Sequence, residues 1–381
     1  MRPLRRSRAV MTIAVGNADS FAASHMGTNR PVIIWLLVGA VMIACMVAIG
    51  GITRLTGSGL SITEWKPIMG ALPPINDGAW NEAFQKYKGI PQYRLVNEHL
   101  DLAGFKAIFF WEYLHRNWAR LMSIVFFVPF VVFWRRGLIS GWLFKRCIAI
   151  LLAGGLEGAL GWFMVASGLL EGDRVSHYRL AIHLCVAFTV FSMVLWTVFD
   201  IRRGRHGLKS DGTDGGKWSR WLLVLLAVQI VYGAFTAGLD AGRVANTWPL
   251  MNGHFLSEQA LNYTGTAMDF VDHKEGVQFI HRNLAWLVAI AFITFAYRER
   301  RNTALHGADR WLFGAVLLQF TLGIPANGLF GSWSGPNCGW TIVANSLMAA
   351  RCSFVRMSSN DISGRPISPF SRPTVRNSSR S

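Results

Sequence analysis

Charge is what this chain has least of. Of its 381 residues only 15% are Asp, Glu, Lys or Arg, and 52% are hydrophobic. Soluble domains run to about a quarter charged, so an ordinary soluble domain is excluded. Acidic residues are the scarcer sign, 21 against 38 basic ones, and none precedes Asp19. Cysteine is scarce too. Cys45, Cys147, Cys185, Cys338 and Cys352 form no CxxC, which leaves a disulfide framework or a zinc site without support. Three of them fall in apolar runs and read as small buried side chains. No cleavable secretory signal is evident. The basic first thirty residues read as a disordered cytoplasmic tail in preference to a transit peptide.

What the chain does have is apolar length. Seven runs approach the about 20 residues that cross a bilayer: 32–51, 115–134, 147–168, 180–199, 219–239, 281–297 and 309–324. The fold class is therefore an all-α polytopic membrane protein. The net charge of +17 is confined to alternate connections. Arg135, Arg136, Lys145 and Arg146 fill one. Arg202, Arg203, Arg205, Lys209 and Lys217 fill a second, and Arg298, Arg300, Arg301 and Arg310 a third. The positive-inside rule accounts for this pattern, places the N-terminus in the cytoplasm and leaves nucleic acid no role. Segments 52–114 and 240–278 are then outside.

Ionisable groups inside membrane helices are costly and mark function. Three histidines qualify. Glu112-Tyr-Leu-His115-Arg-Asn and Gln278-Phe-Ile-His281-Arg-Asn share a spelling, and His183 lies in Tyr178-Arg-Leu-Ala-Ile-His183. Histidines on facing helices can hold a porphyrin iron or a metal. The repeat extends further. Gly50-x-x-Thr53-x5-Gly59-x5-Trp65 returns as Gly233-x-x-Thr236-x5-Gly242-x5-Trp248, and Glu157-Gly-Ala-Leu-Gly161 returns as Gln319-Phe-Thr-Leu-Gly323. Four spans separate the copies, so both cross in one direction, and the plan is two pseudo-symmetric four-helix bundles related by a parallel repeat. The fourth span of the second copy is missing. After Gly323 the sequence turns rich in Gly and Pro, then in Ser and Arg, and no histidine follows His306. A shift of reading frame or a truncation explains so abrupt a break.

The expected organisation is a basic tail over 1–30, an N-terminal bundle over 31–200, a cytoplasmic linker over 201–218, an incomplete C-terminal bundle over 219–324 and a disordered tail over 325–381. His115 and His281 should open their helices, with His183 a turn or two into its own. Glu112 shares a helix face with His115 and could orient an imidazole or move protons, while Gln278 cannot titrate. As a structural alternative, Glu112 caps a helix N-terminus. Arg116 and Arg282 are either interfacial anchors or partners of porphyrin propionates. The outer-loop aromatics Trp65, Trp80, Phe84, Tyr87, Tyr93, Phe105 and Trp111 should pack as a lid, residues 126–134 should face lipid, and His177 should be interfacial.

The strings Gly51-Ile-Thr-Arg-Leu-Thr-Gly-Ser-Gly-Leu-Ser-Ile-Thr-Glu-Trp-Lys-Pro67, Glu112-Tyr-Leu-His115-Arg, Gly161-Trp-Phe-Met-Val-Ala-Ser-Gly168, Tyr178-Arg-Leu-Ala-Ile-His183 and His281-Arg resemble the heme A synthase family over roughly residues 30–324. The resemblance implies eight helices in two bundles. It implies oxidation of the C8 methyl of heme O to the formyl of heme A, with oxygen from water. It implies His115 and His183, with Arg116, around the substrate heme, and Glu112 as the catalytic acid. It implies His281, with Arg282, as the iron ligand of a bound heme b. Heme O synthase and cytochrome oxidase assembly factors are the implied partners, a homo-oligomer is left open, and the setting is a bacterial inner membrane in preference to a mitochondrial one. Two departures stand out. The family has Gln where this chain has Glu157, and its fourth histidine is missing, which leaves the second iron one protein ligand. A di-heme cytochrome b for electron transfer and a repeat-built transporter are the competing readings.

Overall fold

A computed structural model of the chain describes residues 6–299, apart from 67–68, 173, 204–213, 246, 248–249 and 261–262. The seventh apolar run and the tail beyond it lie outside the described residues. Among the described residues eight α-helices follow in order: α1 (Arg6–Leu55), α2 (Asp77–Lys88), α3 (Leu102–Arg135), α4 (Gly141–Glu171), α5 (His177–Arg203), α6 (Asp214–Gly238), α7 (Asp269–Asp272) and α8 (Lys274–Glu299). No β-strand forms among the described residues. Six of these helices, α1, α3, α4, α5, α6 and α8, are long and apolar enough to cross a membrane, one for each of the first six runs.

Several boundaries depart from the sequence reading. The backbone of α1 is helical from Arg6, where an irregular tail was expected. α3 begins at Leu102 and α8 at Lys274, so His115 and His281 lie inside their helices instead of opening them. Apolar runs mark the lipid-crossing part of a helix only. Asp101 sets the true start of α3 by accepting a hydrogen bond from the Gly104 amide.

α1 packs against α3 and α5, α5 against α4 and α6, and α6 against α8, while the sequence neighbours α3 and α4 barely meet. One core joins Trp35, Leu36, Phe130, Leu143, Ile150, Phe191 and Val194 from α1, α3, α4 and α5. A second joins Phe188, Leu222, Leu226, Phe292 and Phe295 from α5, α6 and α8. Many large apolar side chains point outward, among them Val41, Phe127, Leu152, Leu156, Trp221 and Ile290. Lipid tails are as apolar as these groups, so their exposure is the rule in a membrane. In the 126–134 stripe Phe127, Val128 and Trp134 are exposed, whereas Phe130 is buried and Phe126 and Phe133 contact Trp35. The expected lipid-facing stripe is therefore split between lipid and core.

The segment between α1 and α3 folds with the start of α3 into an aromatic cap. Phe84, Tyr87, Phe105 and Phe109 are buried together, with Trp80 and Tyr93 against them. Trp65 stands apart, 6.3 Å from the Trp162 ring on α4. α1 ends in a Schellman turn. Gly57 has φ of +65°, and the Ser58 amide reaches back 2.9 Å to the Thr53 carbonyl. The repeat places Asp240 at the matching point after α6, and Asp240 also adopts a left-handed φ, +53°.

Candidate functional site

Each of the three membrane histidines rests against a glycine on a neighbouring helix. A Cβ added to Gly50 of α1 would lie 3.1 Å from Nε2 of His115 on α3. At Gly161 of α4 it would lie 3.0 Å from Cε1 of His183 on α5, and at Gly233 of α6 it would lie 3.4 Å from Cε1 of His281 on α8. These are the glycines of the repeated motifs. They recur because an imidazole must approach a helix backbone closely, and only a residue without a side chain leaves the room.

Two of the three seats have a second feature, a polar residue one turn earlier on the same helix face, whereas Met46 holds that place before Gly50. Four residues before Gly161, Glu157 brings Oε1 to 3.0 Å from Nδ1 of His183. Four residues before Gly233, Gln229 brings its amide nitrogen to 3.2 Å from Nδ1 of His281. Gln229 was not foreseen as a site residue, and Glu157 was noted as part of a repeated spelling and as a departure but not as a site residue. The spelling Glu/Gln-x-x-x-Gly, present at both places, was the signal available.

Glu112 is 3% exposed and is held by three donors: Ser61 Oγ at 2.7 Å, the Ile62 amide at 2.8 Å and the Arg116 guanidinium. It lies well inside α3 and so caps no helix start. Arg116 also donates to the Ile62 carbonyl at 2.9 Å and the Glu64 carbonyl at 3.4 Å. Gln278 is 2% exposed and donates to the Ala245 carbonyl at 3.1 Å. Arg282 donates to the Ala245 and Thr247 carbonyls at 3.1 and 2.7 Å. Ile62 and Ala245, like Glu64 and Thr247, are matching positions of the repeat. The two arginines thus grip the same loop points, while the residue one turn before each reverses polarity, from a carboxylate that accepts to an amide that donates. Thr53 and Thr236 match as well, each hydroxyl donating to the carbonyl four residues back.

The sites differ in what they leave free. In the second, Nε and Nη1 of Arg282 are buried without a partner. In the first, Arg116 is committed to Glu112 and the loop. Among the described residues no three His, Cys, Asp or Glu converge as a cage for a bare metal ion. A porphyrin iron needs only one or two axial ligands, and spare guanidinium donors beside His281 suit a propionate. His177 lies at the boundary between the halves, 3.1 Å from Asp272 and edge-on to Phe235. The same boundary carries Arg54 to the Gly238 carbonyl at 2.7 Å, Arg174 to Asp240, and Tyr178 Oη to Asp272 at 2.6 Å.

Comparison with known proteins places these residues in a family context. Residues 33–327 match the model of a family described as Cytochrome oxidase assembly protein. The chain is 43% identical over 298 residues to the heme A synthase of Rhodospirillum centenum, covering 77% of this chain and 80% of that one. It is 43% identical over 309 residues to the heme A synthase of Maricaulis maris, covering 79% and 89%. It is 44% identical over 305 residues to that of Caulobacter sp. strain K31, covering 78% and 87%.

Proposed function

The chain belongs to the heme A synthase family of membrane-embedded oxidoreductases, and we propose that it oxidises the C8 methyl of heme O to the formyl of heme A. The net change converts a methyl and one water into a formyl group, four protons and four electrons. Heme O is the substrate. We place it in the N-terminal half, with His115 and His183 on its two faces and Arg116 holding the loop above it. A resident heme b in the C-terminal half, with His281 on its iron and Arg282 at a propionate, would supply the electron-accepting chemistry.

The observation that carries this reading is the difference between two otherwise matching sites. Both have a histidine seated on a glycine and an arginine gripping the same loop carbonyls. Only the first has a carboxylate, Glu112, where the second has the amide Gln278. Electron transfer alone needs no such difference, whereas a reaction that releases protons needs an acceptor. In our reading Glu112 accepts protons from the reacting centre, its charge balanced by Arg116, with the Ser61 hydroxyl beside it. Arg116 and Ser61 hold it in place, and the aromatic cap of Phe84, Tyr87, Phe105 and Phe109 keeps bulk water from the outer end.

We further propose a bacterial inner-membrane setting with the N-terminus and the basic connections in the cytoplasm. Heme O synthase and cytochrome oxidase assembly factors are the proposed partners upstream and downstream. The test is a pyridine-hemochrome spectrum of the purified protein made in cells that supply heme O. Heme b together with heme O or heme A supports the proposal. Heme b alone assigns electron transfer instead, and no heme assigns transport.

A further inference from the structure

We infer that Glu157 is a positioning residue for the substrate iron: it fixes the His183 ring with the proton on Nδ1, turns Nε2 toward the porphyrin and makes this imidazole a stronger donor than His281. The inference rests on the reading that His183 binds the substrate heme, and it assigns a residue beyond the histidines, arginines and Glu112.

Three observations carry it. Oε1 of Glu157 stands 3.0 Å from Nδ1 of His183, on a different helix. Both groups are largely withdrawn from solvent, with side-chain exposures of 19% for His183 and 20% for Glu157. Oε2 of Glu157 and Nδ1 of His183 are buried without a completed hydrogen bond. A small rotation of the ring on its glycine seat completes that bond, and ligation of the far nitrogen would hold the ring there. A carboxylate in such surroundings is costly, and a partner on the imidazole gives it a function.

The chemistry follows from the bond. A ligand imidazole that donates its other N–H to a carboxylate is oriented, locked in one tautomer and made more basic. A more basic ligand favours the ferric over the ferrous iron. His281 has Gln229 beside its Nδ1, on a helix that is not the repeat counterpart of α4, and a neutral amide orients the ring without adding charge. A carboxylate beside one imidazole and an amide beside the other would set the two irons apart in potential, with the substrate iron on the lower side.

The test uses the full chain carrying His281→Ala, so that added hemin reports on the N-terminal half alone. Hemin affinity and the midpoint potential of the bound iron are measured for this protein and after adding Glu157→Gln, Glu157→Leu or His183→Ala. The expected results are a positive shift of potential with near-parental affinity for Glu157→Gln, and a loss of affinity of about 10-fold or more for Glu157→Leu. His183→Ala should abolish the site's axial-ligand spectrum. If His183→Ala abolishes that spectrum while both Glu157 variants keep the parental potential and affinity, Glu157 positions nothing. If His183→Ala changes nothing, His183 is not the ligand, and the inference fails together with the assignment beneath it.

Discussion

The His115/His183 half and the His281 half are two versions of one design. Each seats an imidazole on a motif glycine, and each uses the arginine after its histidine to hold the loop that leaves the preceding helix. They part at one matching position, Glu112 against Gln278, where an oxygen replaces a nitrogen on an otherwise matching side chain. They differ also in what stands beside Nδ1 of the histidine, Glu157 at His183 and Gln229 at His281. The lesson is that matching points of a duplicated scaffold can differ in charge without moving a helix, because the difference lies in charge and not in shape.

The sharpest way to break the comparison is to make the halves alike. Glu112→Gln should lower heme A formation by about 100-fold or more, the range of a lost acid–base group, while bound hemin stays near the parental level. Heme extraction and chromatography measure both. A variant that still converts heme O at the parental rate would reduce Glu112 to a clamp on Ser61 and Ile62. The reverse change, Gln278→Glu, sets a carboxylate against the Ala245 carbonyl and removes the amide that donates to it, leaving the Arg282 guanidinium one turn on as the charged partner. It should cost about 1–3 kcal/mol of stability, read as a lower midpoint of thermal unfolding in detergent.

A graded test follows from the seats. Alanine at Gly161, Gly50 or Gly233 would bring a methyl to 3.0, 3.1 or 3.4 Å from an imidazole. Hemin affinity should fall in that order, most at Gly161 and least at Gly233, as measured by titration of the Soret band. An equal loss at all three would mean that the glycines serve helix packing and not the rings.

The smallest effects belong to the exposed loops that join the helices. Asp240→Asn removes the partner of Arg54 and Arg174. Exposed pairs contribute about 0–1 kcal/mol, so thermal stability should drop slightly, and less in high salt. Asp269 holds the loop before α8 by accepting from the Thr264 hydroxyl and amide and from the Gly265 amide. The Thr264 hydroxyl bond comes first among the causes that pull its carboxyl below the ordinary carboxylate value. A depressed carboxyl stabilises the fold above its unfolded value and loses that contribution as pH falls through the folded one. The loop at 264–272 should therefore become more sensitive to protease only in acid, below about pH 4, and Asp269→Asn should make it sensitive at neutral pH as well.

Much of the molecule was legible in order of residues. Six apolar runs became six spanning helices, and the Gly/Thr/His-Arg spellings became matching contacts in both halves. Helix starts were not legible, because α3 and α8 extend beyond the apolar runs that begin at 115 and 281 into stretches that include Lys106 and Glu112, and Lys274 and Glu275, whose charges interrupt the run. The left-handed turn after α6 was missed because Asp240 stands where the first copy has Gly57. The partners of Nδ1 were missed because Glu157 and His183, like Gln229 and His281, lie on different helices, and neither pair is near in sequence.

The sequence by itself determined that this chain crosses a membrane, that it is duplicated, and that three histidines are committed to the apolar phase. It could do so because hydropathy, spacing and repetition are local properties that need no fold to be read. The tertiary structure decided what each histidine meets. The packing of α4 on α5 and of α6 on α8 set a carboxylate beside one imidazole and an amide beside another. Helix packing brings side chains dozens of residues apart to within a hydrogen bond, and at that range the sign of one oxygen or nitrogen sets what a site can do.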